Sequence, residues 1–236
     1  MRYKHHVLLP EVGGQGQKAL AAAQVVVIGA GGLGCPILSY IAGAGVGRIT
    51  VVDGDRVELS NLQRQTLYTE ADIGRPKAEA AAERLRAVNS EIDIRPHPEM
   101  FGPETPRSLL KGADLVIEGT DRIAARHIIN RAALEADIPL ISSAASRFSG
   151  YVGRFGRPGP CYACFVPEGA AEDGVCDRDG VLGPVVGLVG SLAAAEAIRF
   201  LVGDAGPNCL LTIAELRPPS MRQVTIERDP GCPVCG

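Results

Sequence analysis

Val25-Val26-Val27-Ile28-Gly29-Ala30-Gly31-Gly32-Leu33-Gly34 decides how this chain folds. Four consecutive apolar residues read as a short strand of the buried type, and the glycines that follow mark a tight turn opening a helix. That helix is expected from about Leu33 to Ala44, and a second strand, Ile49-Thr50-Val51-Val52, ends at Asp53. Strand, helix and strand in this order make one βαβ unit, with a right-handed crossover and parallel pairing.

The alternation continues outward. Pro76 opens a helix in which Ala78, Ala81, Ala82, Leu85 and Val88 recur at helical spacing, with Asn89 as its stop. Ile92-Asp93-Ile94 and Leu115-Val116-Ile117 read as strands, the second ending near Thr120-Asp121. A helix is expected from Ala124 to Ala136, then a strand at Leu140-Ile141. Such alternation predicts a doubly wound α/β sheet. After Ser149 the pattern shifts to shorter strands, a Gly/Asp-rich loop from Glu168 to Gly180, an apolar helix from Val185 to Val202, and strands near Leu210–Ile213 and Val224–Ile226. No linker divides the chain, so residues 1–236 are expected to form one domain. Its nucleotide-binding part would span about 20–150 and a second part 151–236.

Size and charge exclude several classes. A chain of 236 residues is long enough to bury a sizeable core. A net charge of −3 offers no electrostatic footprint for nucleic acid or an anionic membrane. No signal peptide is expected from Met1-Arg2-Tyr3-Lys4-His5-His6. The most apolar stretch, Val181 to Ala195, is interrupted by glycines and Pro184, and reads as too short to span a bilayer. Unpaired and metal-spaced cysteines suit a reducing cytoplasm.

Gly29, Gly31 and Gly34 match G-x-G-x-x-G after a strand and at a helix start, with Gly32 inside the loop. The glycines let backbone approach a phosphate, and the helix N-terminus presents unpaired N–H groups to it. Asp53, at the next strand end, is placed to accept hydrogen bonds from ribose hydroxyls. These features fit NAD as well as ATP.

Cys161-x-x-Cys164 and Cys232-x-x-Cys235 lie in turn-rich sequence, after Gly159-Pro160 and Pro230-Gly231 respectively. Two such pairs supply four thiolates for tetrahedral zinc. Their separation exceeds that of a self-contained zinc ribbon, so the metal would clip two distant segments of one fold. A redox pair is the competing reading of either one alone. Of the others, Cys35 and Cys209 read as inert packing residues. Cys176 sits between Asp173, Asp177 and Asp179, which disfavour a thiolate, and beside Arg178, which favours one.

Asp53-Gly54-Asp55-Arg56-Val57-Glu58-Leu59-Ser60-Asn61-Leu62-Gln63-Arg64-Gln65, followed by Arg75-Pro76-Lys77, resembles the ThiF/MoeB/HesA family. The resemblance extends over nearly the whole chain, through Arg2-Tyr3, the glycine loop, Thr120-Asp121, both cysteine pairs and the Cys-Pro-Val-Cys-Gly terminus. It implies a Rossmann-like fold with a C-terminal mixed or antiparallel extension clipped by the four-cysteine zinc site. It also implies ATP as the nucleotide, bound by Gly29, Gly31, Gly32, Gly34, Asp53, Asp55, Ser60, Asn61, Arg64, Lys77, Asp121 and Arg122. Arg64 and Lys77 would face the triphosphate, and Asp121 would hold Mg²⁺. Lys77, in a first helical turn, opposes the helix dipole unless an anion lies between. For Asp121 alone a helix N-cap is the competing role. Cys176 aligns with a cysteine that some members use for covalent or sulfur-transfer chemistry.

Two positions depart from the family pattern. His5 stands where relatives commonly carry an Arg that reaches the neighbouring subunit's phosphates, and imidazole cannot reproduce a forked guanidinium. Arg2, Lys4 or protonated His5 would have to substitute. Arg122 stands where relatives usually carry Asn, and could contact phosphate or compete with Mg²⁺.

The implied protein is a cytoplasmic homodimeric adenylyltransferase. It would activate the C-terminal glycine of a ubiquitin-like sulfur carrier ending in Gly-Gly, for thiamine or molybdenum-cofactor synthesis. A cysteine desulfurase or rhodanese would then donate sulfur. With the chain ending at Gly236, no appended rhodanese domain is expected. An NAD-dependent oxidoreductase is one alternative, leaving Arg64, Lys77 and the cysteines unused; a catalytically weak carrier-docking protein is the other.

Overall fold

The computed structural model describes residues 2–105, 107–169 and 180–236. Cys176 and most of the Gly/Asp-rich loop lie outside them. The parallel half of the fold comprises β1 (Gln24–Ile28), α3 (Gly34–Ala44), β2 (Arg48–Val52), α4 (Lys77–Val88), β3 (Asp93–His97), β4 (Leu115–Glu118), α5 (Ile123–Glu135) and β5 (Leu140–Ser146). Two helices that carry no clear apolar period precede it, α1 (Lys4–Val7) and α2 (Gly13–Ala22). After it come β6 (Ser149–Phe155), the short α6 (Tyr162–Phe165), α7 (Gly183–Val202), β7 (Leu210–Leu216) and β8 (Pro219–Thr225).

All eight strands form one sheet in the order β3-β2-β1-β4-β5-β6-β7-β8. The pairs from β3 through β5 are parallel, and β5, β6, β7 and β8 pair antiparallel. The chain runs outward one way through β1, β2 and β3, then returns to lay β4 on the other side of β1. Ligands of open α/β sheets bind outside the carboxyl ends of the strands at such a reversal.

Both faces of the central strands β1 and β4 are covered, which is why these two are almost wholly apolar. Val25 and Val27 face one core with Ile37, Leu38 and Ile41 of α3, Leu85 of α4, and Val185 and Val189 of α7. Val26 and Ile28 face the other, with Ile129 and Ala133 of α5 and Tyr162 of α6. Full burial of side chains such as Ile37 and Leu38 contributes roughly 1.5–3 kcal/mol each.

The helix expected from Val185 to Val202 forms, but the reading of this stretch as too short to span a bilayer does not hold on length. Gly187 and Gly190 do not interrupt α7, a continuous 20-residue helix long and apolar enough to cross a membrane by length and composition alone. Here its Val185, Val189, Ala193 and Ala197 stripe is buried in the core. Gly190 permits this, since a Cβ there would meet the Leu33 carbonyl at 2.7 Å.

Candidate active site and metal centre

A cleft of about 810 Å³ opens at the carboxyl ends of β1 and β4. Its floor is the glycine loop, which admits no larger residue at Gly29 or Gly34. Gly29 has φ +97°, and a Cβ there would lie 3.1 Å from the Gly119 backbone across the strand reversal. At Gly34 an added Cβ would run into the Gly29 carbonyl. Gly29, Gly31 and Gly32 line the cleft, whereas Gly34 is buried beneath the loop at the start of α3.

Asp53 fixes this loop. Its Oδ2 accepts the Ala30 N–H at 2.7 Å, and its Oδ1 accepts the Asp55 N–H at 2.8 Å. Burial raises the Asp53 carboxyl above its ordinary value, against the lowering effect of these bonds and of Lys77. Each oxygen keeps a second lone pair for a ribose hydroxyl. From the other side, the buried Tyr68 hydroxyl donates to the Ala30 carbonyl at 2.7 Å.

The cations expected from sequence meet in the same cleft. Pro76 caps the start of α4, so Lys77 is its first residue, and its side chain is only 7% exposed. The anion that explains a lysine there is present: Nζ lies 3.0 Å from Asp55 Oδ2. Arg64 follows the single turn Leu59–Asn61, which also places Ser60 and Asn61 on the rim. Its Nη1 donates to the Ser60 carbonyl at 3.2 Å, and its stem passes the glycine loop beside Gly32.

Asp121 and Arg122 complete the wall below β4. The N-cap of α5 is Arg122, without a side-chain capping bond, so the alternative role of Asp121 as the cap is not the one observed. The Asp121 carboxylate is exposed to the cleft. An uncapped carboxylate facing this cleft fits Mg²⁺, which takes one or two carboxylates together with substrate phosphates.

Sequence reading missed several residues of this wall. Gln65 is buried, its Oε1 unpaired among the described residues. Glu118, Arg126 and Tyr151 form a buried polar group behind Thr120. The signal available was a Glu closing the apolar run Leu115-Val116-Ile117, one residue before Gly119-Thr120.

His5 lies elsewhere. It is exposed on α1, at the opposite end of the sheet from the cleft, next to Tyr3, whose ring abuts Gly45 at the far end of α3. The Tyr3 hydroxyl accepts the Asn89 side-chain amide at 2.9 Å, and Arg2 Nη1 donates to the Val88 carbonyl at 2.8 Å. Arg2 is therefore engaged at the end of α4.

The four cysteines of the two pairs form one cage, with sulfurs all within 4.8 Å of one another. Cys161–Cys232 and Cys164–Cys235 are 3.7 and 3.5 Å apart, and Cys161–Cys164 is 4.0 Å. A tetrahedron with Zn–S bonds near 2.3 Å sets sulfurs roughly 3.8 Å apart. Disulfide sulfurs would be far closer, at about 2.05 Å, and all four thiols are free. Among the described residues no other cluster of this kind occurs. The donor set and spacing fit zinc, which would join α6 to the C-terminal turn.

Fold and cleft together define an α/β enzyme with a glycine loop, acidic residues and cations gathered at the sheet's point of strand reversal. The ThiF family model matches residues 3–234, and the chain belongs to this family. It is 42% identical to the sulfur carrier protein adenylyltransferase of Thermus thermophilus, covering all of this chain and 90% of that protein. Identity is 39% to the sulfur carrier protein ThiS adenylyltransferase of Escherichia coli, covering 95% of it. It is 38% to the molybdopterin-synthase adenylyltransferase of Salmonella typhimurium, covering 96% of it. Among solved structures, E. coli MccB with MccA-N7isoASN superposes with TM-score 0.87 at 24% identity, over the whole of this chain and 75% of that one, a likeness of fold.

Proposed function

We propose that this protein adenylates the C-terminal glycine carboxylate of a small ubiquitin-like sulfur carrier ending in Gly-Gly. A carboxylate oxygen of the carrier attacks the α-phosphorus of ATP. The bond from that phosphorus to the bridging oxygen of the β-phosphate breaks, pyrophosphate leaves, and an acyl-adenylate forms. One observation carries the reading: Arg64, Lys77, Arg122 and Asp121 share a single cleft with the glycine loop. Transfer of this kind is catalysed by positioning and by neutralising charge on the phosphates.

In this reading the glycine-loop backbone seats the phosphates and Asp53 orients the ribose. Arg64 and Lys77 neutralise the departing pyrophosphate. Asp121 would hold Mg²⁺, which when bound supplies further charge neutralisation. The zinc cage holds the C-terminal turn to the core and takes no part in the chemistry. The acyl-adenylate would later accept sulfur from a cysteine desulfurase or rhodanese, in thiamine or molybdenum-cofactor synthesis in the cytoplasm. A homodimer is part of the proposal, supported by the exposed apolar side chains Val7, Leu8 and Leu9 beside α1. His5 would then approach the neighbouring subunit's cleft.

An NAD-dependent oxidoreductase would leave Arg64, Lys77 and the four-cysteine cage unused. ATP–pyrophosphate exchange, assayed with each candidate carrier in turn, tests the proposal. Exchange that requires one carrier is the expected result. Saturation by NAD at lower concentration than ATP, with no exchange, would replace it with the oxidoreductase.

A further inference from the structure

Behind the cleft, the turn from β4 into α5 is gripped from both sides by a buried ion pair. Glu118 is the last residue of β4, and its side chain is fully buried. Its Oε2 accepts both the N–H and the hydroxyl of Thr120, each at 3.0 Å. Its Oε1 accepts the Ser142 hydroxyl and lies 3.5 Å from Arg126 Nε, an ion pair without a hydrogen bond.

Arg126 comes from α5, on the far side of the turn, and its side chain is 9% exposed. Its Nη2 donates to the Thr120 carbonyl at 2.6 Å and its Nη1 to the Tyr151 hydroxyl at 3.2 Å. Thr120 is therefore held at its N–H, its hydroxyl and its carbonyl, immediately before Asp121. A buried charged pair costs several kcal/mol in desolvation, and hydrophobic residues would often serve stability as well or better. This pair spends its hydrogen bonds on one residue of the cleft wall. Burial works against the charge on Arg126, but Glu118 and the neighbouring tyrosines more than offset it, so its pKa is raised.

We propose that Glu118 and Arg126 are positioning residues for Asp121, a buried clamp that fixes the angle at which its carboxylate enters the cleft. The clamp rests on the nucleotide reading given above, and Tyr151 braces it from β6. Groups one layer behind a metal ligand set its orientation, and losing them weakens metal affinity even when the ligand itself remains.

The test uses the full chain and measures ATP binding as a function of Mg²⁺ concentration, beside binding of AMP without divalent cation. Glu118→Gln and Arg126→Lys should raise the half-saturating Mg²⁺ concentration about tenfold. AMP affinity should stay within about twofold, since AMP needs no divalent cation at Asp121. Tyr151→Phe removes only one partner of Arg126 and should raise the Mg²⁺ requirement about threefold; it decides the matter if the charged variants do not fold. A Mg²⁺ requirement unchanged in the folded variants overturns the clamp. So does a parallel loss of AMP binding and melting temperature, which would mark a purely structural pair. Wild-type protein whose ATP binding ignores Mg²⁺ would instead overturn the nucleotide reading, and the clamp with it.

Discussion

Lys77 Nζ lies 3.0 Å from Asp55 Oδ2, and the two ends of this ion pair differ in exposure, 7% for the lysine against 59% for the aspartate. The lysine bears most of the desolvation, while the aspartate keeps its solvent. An ammonium has three protons, so Lys77 can keep Asp55 and still meet a phosphate. Lys77→Ala and Arg64→Ala should each lower carrier-dependent ATP–pyrophosphate exchange by roughly two to three orders of magnitude, the scale for one preorganised charge-stabilising group. Asp121→Ala should abolish exchange. Far-UV circular dichroism should be unchanged in all three. Rates within about threefold of wild type would place the chemistry elsewhere.

Metal analysis should find about one zinc per chain, because the four sulfurs form one tetrahedral set. Cys232→Ser should lower both zinc content and melting temperature, since it opens the link between α6 and the C-terminal turn. Stoichiometric metal in a variant lacking all four cysteines would refute this assignment.

Two glycines of α3 should respond oppositely to alanine. At Gly34 a methyl group meets the Gly29 carbonyl, a backbone atom that cannot swing aside. Overpacking of that kind costs about 1–3 kcal/mol and outweighs the helix-propensity gain of about 1 kcal/mol. At Gly43 the added methyl meets nothing within 4 Å. Urea unfolding should therefore show Gly34→Ala destabilised and Gly43→Ala neutral or more stable than wild type.

Asp72 makes stability depend on acid pH. Burial pushes its carboxyl up, but hydrogen bonds from the Thr69 N–H and hydroxyl, each 2.9 Å, and from Arg75 bring it below the ordinary carboxylate value. A depressed native pKa stabilises the fold above the unfolded-state value, and that stability is lost as pH falls through the native one. Asp72→Asn should cost about 1 kcal/mol at pH 7, the scale of a lost cap. The gap between the two proteins should close as the medium is acidified below about pH 4. A gap that persists in acid would mean a neutral amide fails for packing reasons.

Cys176→Ala should leave pyrophosphate exchange nearly unchanged, because acyl-adenylate formation needs no enzyme thiol. Any loss should appear in the later formation of the thiocarboxylate, followed by mass spectrometry of the carrier. Collapse of exchange itself would refute this separation.

Much of the parallel half was legible because burial on both faces leaves an unbroken apolar run, and Val25–Ile28 is one. The ends of the chain were harder. Gly13, Gly14 and Gly16 give α2 neither period nor propensity, and tertiary contact through Leu20 holds it. β8 is exposed at every residue, so Pro219 to Thr225 carries no buried alternation, and its predicted start fell too late. At β5 the predicted Leu140-Ile141 covers only the buried apolar start, and Ser142 to Ser146 join through pairing with β6. In the site, family positions gave many of the residues that line the cleft but not Gln65, and His5 lies away from it. They gave nothing behind the cleft, because Glu118 and Arg126 lie on β4 and α5 and meet only once the fold brings the two together.

The cleft wall draws on both ends of the translation order. Val186 of α7 packs at 3.4 Å from where a side chain would begin at Gly32, so the helix closes the space beside the glycine loop. On the ribosome, β1, α3 and β2 can emerge and pair long before α7 leaves the exit tunnel. Until then the glycine loop has no roof on that side. Nucleotide grip is thus a late acquisition of the nascent chain, and ATP retention by stalled chains of increasing length would date the moment at which the protein becomes an enzyme.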